Sequence, residues 1–172
     1  VMSGTLQMKA KLNIPPGKQS VTQKLGVNGQ FLLSGIHFTN PDVEDKVDML
    51  SLRAQGKPGE AHPGAADVHS RMRGTFVLRS GQITFSHLDY ALPGATINLA
   101  GQYTLDGKKF DFTGKVRTNA MLSQMVSTWW KSLLLKPVDP FFHKHGAGAE
   151  IPVKITGTKG SPKFGLDLGG KK

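Results

Sequence analysis

Six histidines, twelve carboxylates and no cysteine set the chemistry open to this 172-residue chain. Without cysteine there is no disulfide framework, thiolate zinc site, iron–sulfur cluster or cysteine nucleophile. His143 and His145 stand in Phe-Phe-His-Lys-His-Gly, a spacing of two that puts both on one face of a strand. A closed metal site needs a third and fourth ligand, and Glu150 is the carboxylate within sequence reach. An exposed basic turn is the simpler reading, so no metal is expected there. His37, His69 and His87 stand beside polar residues at strand positions and read as surface groups.

Acid–base catalysis by paired carboxylates needs two acids brought together. Asp42, Glu44, Asp45 and Asp48 crowd one helical segment, while Asp106, Asp111 and Asp167 fall at turns or polar strand positions. They read as solvated surface. No G-x-S-x-G elbow, phosphate-binding loop or dinucleotide fingerprint occurs among the 21 glycines. The expectation is therefore a non-catalytic protein with no cofactor.

A formal net charge of +10 raises the question of nucleic acid. Nucleic-acid modules gather cations on one element with interleaved aromatics. Here Lys9, Lys11, Lys24, Arg53, Arg73, Lys115, Lys131, Lys154 and Lys163 are spread over almost every element. Dispersed cations suit a solvated sheet face, or attraction to an anionic membrane surface. No nucleic-acid partner is expected.

The elements that must position these residues follow a period of two. Leu6, Met8, Ala10, Leu12 and Ile14 alternate with Gln7, Lys9, Lys11 and Asn13, the mark of a strand with one covered and one wet face. The same alternation runs through Leu25, Val27, Phe31 and Leu33; Met72, Phe76 and Leu78; and Ile83 and Phe85. It continues through Ala95, Ile97, Leu99, Tyr103 and Leu105; Phe110, Phe112 and Val116; Ile151, Val153 and Ile155; and Phe164, Leu166 and Leu168. Turn signals at Ser80-Gly81, Pro93-Gly94 and Asp106-Gly107 join strands too closely for parallel crossovers, so residues 69–117 form an antiparallel meander. Gly74, Gly101 and Gly114 inside strands suggest bulges or bends, and hence a curved sheet.

Two segments carry helical spacing. Asn40-Pro41 opens the first, with Val43, Val47, Leu50 and Ala54 on one stripe and Gly56 as its stop. The second runs over about 120–135, with Leu122, Met125, Val126, Trp129, Trp130 and Leu133 forming a broad apolar stripe suited to a lid or docking helix. Residues 56–67 lack periodicity and read as a mobile loop. The longest strongly apolar stretch, Ala120 to Trp130, falls short of the roughly 20 residues of a spanning helix. The fold class expected is mainly β: a single domain, residues 1–172, with a curved antiparallel sheet and two amphipathic helices at one face or end. Val1-Met2-Ser3 begins in what reads as structured sequence, so the chain is expected to be a fragment of a larger protein.

Several pieces now stand in a recognisable order. Leu50-Ser51-Leu52-Arg53-Ala54-Gln55-Gly56-Lys57-Pro58, Leu92-Pro93-Gly94-Ala95, Gly101-Gln102-Tyr103, Leu122-Ser123-Gln124-Met125, Asp139-Pro140-Phe141-Phe142, Gly146-Ala147-Gly148, Ile151-Pro152 and Pro162-Lys163-Phe164-Gly165 together resemble the C-terminal region of bacterial AsmA-family proteins, the group that includes TamB and YhdP. The resemblance covers about Leu25 to Leu168 and departs at Thr128-Trp129-Trp130, bulkier than the glycine-containing helix of relatives. It implies a periplasmic β-groove in a parent anchored in the inner membrane by an upstream helix. It also implies transport of phospholipid between inner and outer membrane, in support of outer-membrane homeostasis, like the bridge-type lipid transfer proteins. No catalytic residue is carried over. On this reading Ile97, Leu99, Tyr103, Leu105, Phe110, Phe112 and Val116 contact the acyl chain. The alternative from the alternation alone is an ordinary filled core, in a structural or adaptor module of an envelope complex.

Overall fold

A computed structural model describes residues 2–65, 67–120, 148–158 and 161–166. Eight strands make one antiparallel sheet whose spatial order follows the chain: β1 (Met2–Asn13), β2 (Gly26–Phe38), β3 (Ser70–Arg79), β4 (Gln82–Leu92), β5 (Ala95–Thr104), β6 (Phe110–Thr118), β7 (Ala149–Thr158) and β8 (Ser161–Leu166). The molecule is thus mainly β, a curved open meander as the period of two requires. Among the described residues β1 and β8 each pair on one side only, which leaves the sheet two free edges.

Register turns the alternation into rows that cross the strands. One row runs Leu6, Leu33, Met72, Tyr90, Ile97, Val116, Ile151; the next runs Met8, Phe31, Gly74, Leu88, Leu99, Gly114, Val153. A third runs Ala10, Gly29, Phe76, Phe85, Gly101, Phe112, Ile155, and a fourth runs Leu12, Val27, Leu78, Ile83, Tyr103, Phe110. The face is apolar along all four.

Bulges interrupt the ladders after Ser34 in β2 and after Phe85 in β4, where one extra residue reverses which parity faces inward. Leu88, Tyr90 and Leu92 therefore join the face that Ile83 and Phe85 began, a continuation that strict alternation misses. The β3–β4 register shift falls beside Gly74 and the β4–β5 shift opposite Gly101, whereas at Gly114 β5 and β6 pair without a shift. Gly101 also gives clearance. A Cβ on Gly101 would lie 2.7 Å from Phe112 Cδ1 and 2.6 Å from its Cα, so the ring of Phe112 occupies the space a side chain would need.

Helix α2 (Pro41–Ala54) forms where its cap and stripe place it. Asn40 Oδ1 accepts from the Asp42 N–H at 3.0 Å, Pro41 needs no donor partner, and Asp42 and Glu44 sit at the positive helix start. Val47, Leu50 and Ala54 pack on Ile36, Tyr90, Leu92 and Ala95, closing one end of the apolar face. A single-turn helix, α1 (Val21–Lys24), capped by Ser20, joins β1 to β2 and was not evident from the sequence. Within residues 56–67, Pro58–Glu60 form a 3-10 turn, and the Gly64 N–H donates to Asp45 on α2 at 2.9 Å. The helix expected over 120–135 lies outside the described residues.

The C-terminal turn of α2 is seated on the β4–β5 turn. Ser51, fully buried, donates to the Pro93 carbonyl at 2.8 Å and accepts from Gln55 at 3.1 Å. Gly94 adopts φ +84°, and a Cβ there would meet the Ala54 carbonyl carbon at 2.8 Å. The Asn119 N–H donates to Gly94 O and the Ala120 N–H to Ala54 O, tying the end of β6 into the same junction. Gly94→Ala is expected to lose about 1–3 kcal/mol of stability, from overpacking against backbone together with an unfavourable φ. A lower denaturant midpoint at unchanged slope would show it; an unchanged midpoint would mean that the seat is not tight.

Candidate functional site

The apolar face divides into three zones. Under α2 it is a sealed core: Ile36 and Ile151 are almost fully buried, with Val116 and Tyr90 beside them. The Tyr90 hydroxyl donates to Ser70 Oγ at 2.9 Å, so the polar tip of this ring is satisfied inside. In the middle, aromatic rings lie against one another across the strands. Phe31–Phe76 centroids are 6.3 Å apart, Phe76–Phe85 6.2 Å, Phe85–Phe112 5.9 Å, Phe112–Phe110 4.9 Å and Phe110–Tyr103 5.4 Å. Toward β1 nothing comparable among the described residues covers the rows: Leu6, Met8 and Leu12 are 57%, 60% and 66% exposed.

The seven residues expected to contact acyl chains distribute over these zones. Val116 lies in the sealed core, with Ile97 half-buried against it. Phe112, 3% exposed, is wedged between Phe85 and Phe110, while Leu99, Tyr103 and Phe110 are half-buried. Leu105 stands at the β5–β6 turn, exposed, its N–H donating to the Gly81 carbonyl. Among the described strands the most open apolar side chains are instead Leu6, Met8 and Leu12 of β1, which the sequence marked as strand residues without assigning them to the site. The docking stripe Leu122, Met125, Val126, Trp129, Trp130 and Leu133 lies outside the described residues, as do His143 and His145.

On the opposite face one polar constellation stands out. Asp89, 6% exposed, accepts from Arg73 Nε at 3.0 Å, His87 Nε2 at 2.8 Å and Asn98 Nδ2 at 2.6 Å, joining β3, β4 and β5. The reading of the helix acids as solvated surface fails at Asp48, 3% exposed on α2, which accepts from the Val68 N–H; Asp89 is a buried acid that the sequence did not single out. Burial raises the Asp89 pKa, but hydrogen bonds from Asn98, Arg73 and His87 outweigh it and leave the carboxyl below its ordinary value. At Asp48 burial dominates and raises the pKa, with Glu44, Asp67 and Asp45 adding to it against the single Val68 bond. Period-two reading cannot find such residues, because burial on the polar face comes from cross-strand partners.

Arg53 is likewise an exception to the solvated cations, being buried on α2. Lys9, Lys11, Arg73, Lys115, Lys154 and Lys163 are exposed on the strands. Glu150 bridges Lys115 Nζ at 2.5 Å and Arg117 Nε at 2.7 Å, which lowers its pKa. His37 Nδ1 lies 3.1 Å from Glu44, whose other oxygen accepts the Phe38 N–H at 2.6 Å, clipping the start of α2 to β2. Among the described residues no group of three or more histidines and carboxylates is arranged to hold a metal, and no helix is long and apolar enough to cross a membrane.

No family model, curated protein or solved structure matches this chain.

The two buried carboxylates carry opposite expectations. A depressed folded pKa stabilises above the unfolded value of about 3.8 and loses that contribution as pH falls through the lower folded value. Asp89→Asn should therefore cost about 1–3 kcal/mol at neutral pH, by facing donors with an NH₂, and should flatten the loss of stability below pH ~4. Asp48→Asn keeps an acceptor for Val68 and removes a buried charge, so stability near neutrality should hold or rise. Thermal melts of both variants across acid pH test this; equal losses at neutral pH would refute the contrast.

Proposed function

We propose that this chain is a non-catalytic segment of an envelope protein of AsmA-like character, whose apolar sheet face shelters phospholipid acyl chains. In that reading it acts in the periplasm, in a parent anchored in the inner membrane, and contributes to phospholipid transport between inner and outer membrane. The observation that carries it is the asymmetry of the face: four apolar rows, sealed under α2 at one end and exposed at Leu6, Met8 and Leu12. Each CH₂ removed from water contributes about 0.8 kcal/mol, so a sixteen-carbon chain covering this surface could gain on the order of 10 kcal/mol. Headgroups would remain at the wet rim beside the strand lysines.

A second reading has its own observation. Leu88, Phe112 and Leu78 are buried in the second, third and fourth rows, which favours an ordinary filled core there in a structural or adaptor module. The two readings differ at β1. Leu6→Gln, Met8→Gln and Leu12→Gln change exposed positions and should leave the fold within about 0.5 kcal/mol of wild type for each site. On the lipid reading the triple variant loses most binding of a fluorescent fatty acid and copurifies with less lipid in detergent-free preparations analysed by mass spectrometry. Unchanged probe binding, or no lipid in wild type, would overturn it. Phe112→Glu, which forces a charge into a closed ring cluster, should unfold the protein on either reading.

A further inference from the structure

The two free edges of the sheet are built differently. β8 is six residues long and carries Pro162, which donates no N–H, the usual way an edge is blunted. β1 runs twelve residues without proline, and its apolar side chains are the most exposed of the sheet. An edge of that length is a template for another strand.

The charge pattern states what the added strand must carry. Lys9 and Lys11 stand on the polar side of β1, and their β2 partners are the neutral Gln30 and Asn28. No Asp or Glu precedes Asp42 in the sequence, so β1, α1 and β2 supply no counter-charge. A second copy of this chain fits poorly: β1 offers only neutral and basic residues on that side, and β8 offers Lys163 and a proline.

We propose that the β1 edge receives an extended strand from a protein partner in which apolar residues alternate with acids. The apolar set continues the rows at Leu6, Met8 and Leu12, and the acids face Lys9 and Lys11. The inference uses the edge rather than the face and does not rest on lipid binding.

The test uses a fluorescent synthetic peptide of leucine and valine alternating with glutamate, beside the same peptide with lysine for glutamate. Fluorescence anisotropy should show binding of the acidic peptide, weakening with salt, and hydrogen exchange should show protection of β1 amides but not of β8. Lys9→Glu with Lys11→Glu should weaken acidic-peptide binding about tenfold and favour the lysine peptide, given the usual worth of cross-strand charge pairs. Equal binding of both peptides, absence of β1 protection, or protein self-association through β1 by sedimentation would overturn the proposal. So would protection of β1 amides by anionic phospholipid vesicles with none by the peptide. Fatty-acid probe binding should be unchanged in the double lysine variant. Loss of acidic-peptide binding in the double lysine variant, with fatty-acid probe binding kept, separates the two readings.

Discussion

The seating of α2 on the β4–β5 turn is the constraint on which the rest of the molecule depends. An open sheet with one apolar face must cover that face or leave it wet, and α2 covers one end of it. The seat needs a residue without Cβ at position 94 and a hydroxyl at position 51 that reaches the Pro93 carbonyl. With those contacts made, Val47, Leu50 and Ala54 meet Ile36, Tyr90, Leu92 and Ala95, and the neighbouring rows become a core.

Away from α2 the sheet covers itself by a different device. Phe31 pairs with Gly74, Phe76 with Gly29, and Phe112 with Gly101, so a ring on one strand lies where its neighbour has no side chain. Rings in adjacent rows then touch at about the separations favoured by tilted and edge-on aromatic pairs. Among the described residues these rings cover the middle of the face themselves. The device stops before β1, where Leu6, Met8 and Leu12 have no such cover among the described residues and stand exposed.

On the polar face, stability comes from a few buried charges rather than from the many exposed ones. Asp89 ties three strands together with three donors, whereas most lysines and arginines stand in solvent, where single pairs contribute little. The exposed strand lysines thus stand on the outside of the sheet, and those of the β1–β2 hairpin have no acid on either strand to balance them.

Much of this architecture was legible in the residues alone. Period-two alternation announced the strands, the turn dipeptides announced the antiparallel meander, and Asn40-Pro41 with its apolar stripe announced α2, because these signals are local and act through backbone geometry. Two of the sequence pieces behind the AsmA-like resemblance, around Ser51 and around Pro93-Gly94, proved to be the two halves of one contact. Their meeting is tertiary. So is the inclusion of Leu88, Tyr90 and Leu92 in the apolar face, since a bulge reverses parity without any compositional mark. The burial of Asp89 and Asp48 and the exposure of Leu6 against the burial of Phe112 were beyond the sequence for the same reason. Alternation assigns a side chain to a face, but only packed neighbours decide whether that face is covered.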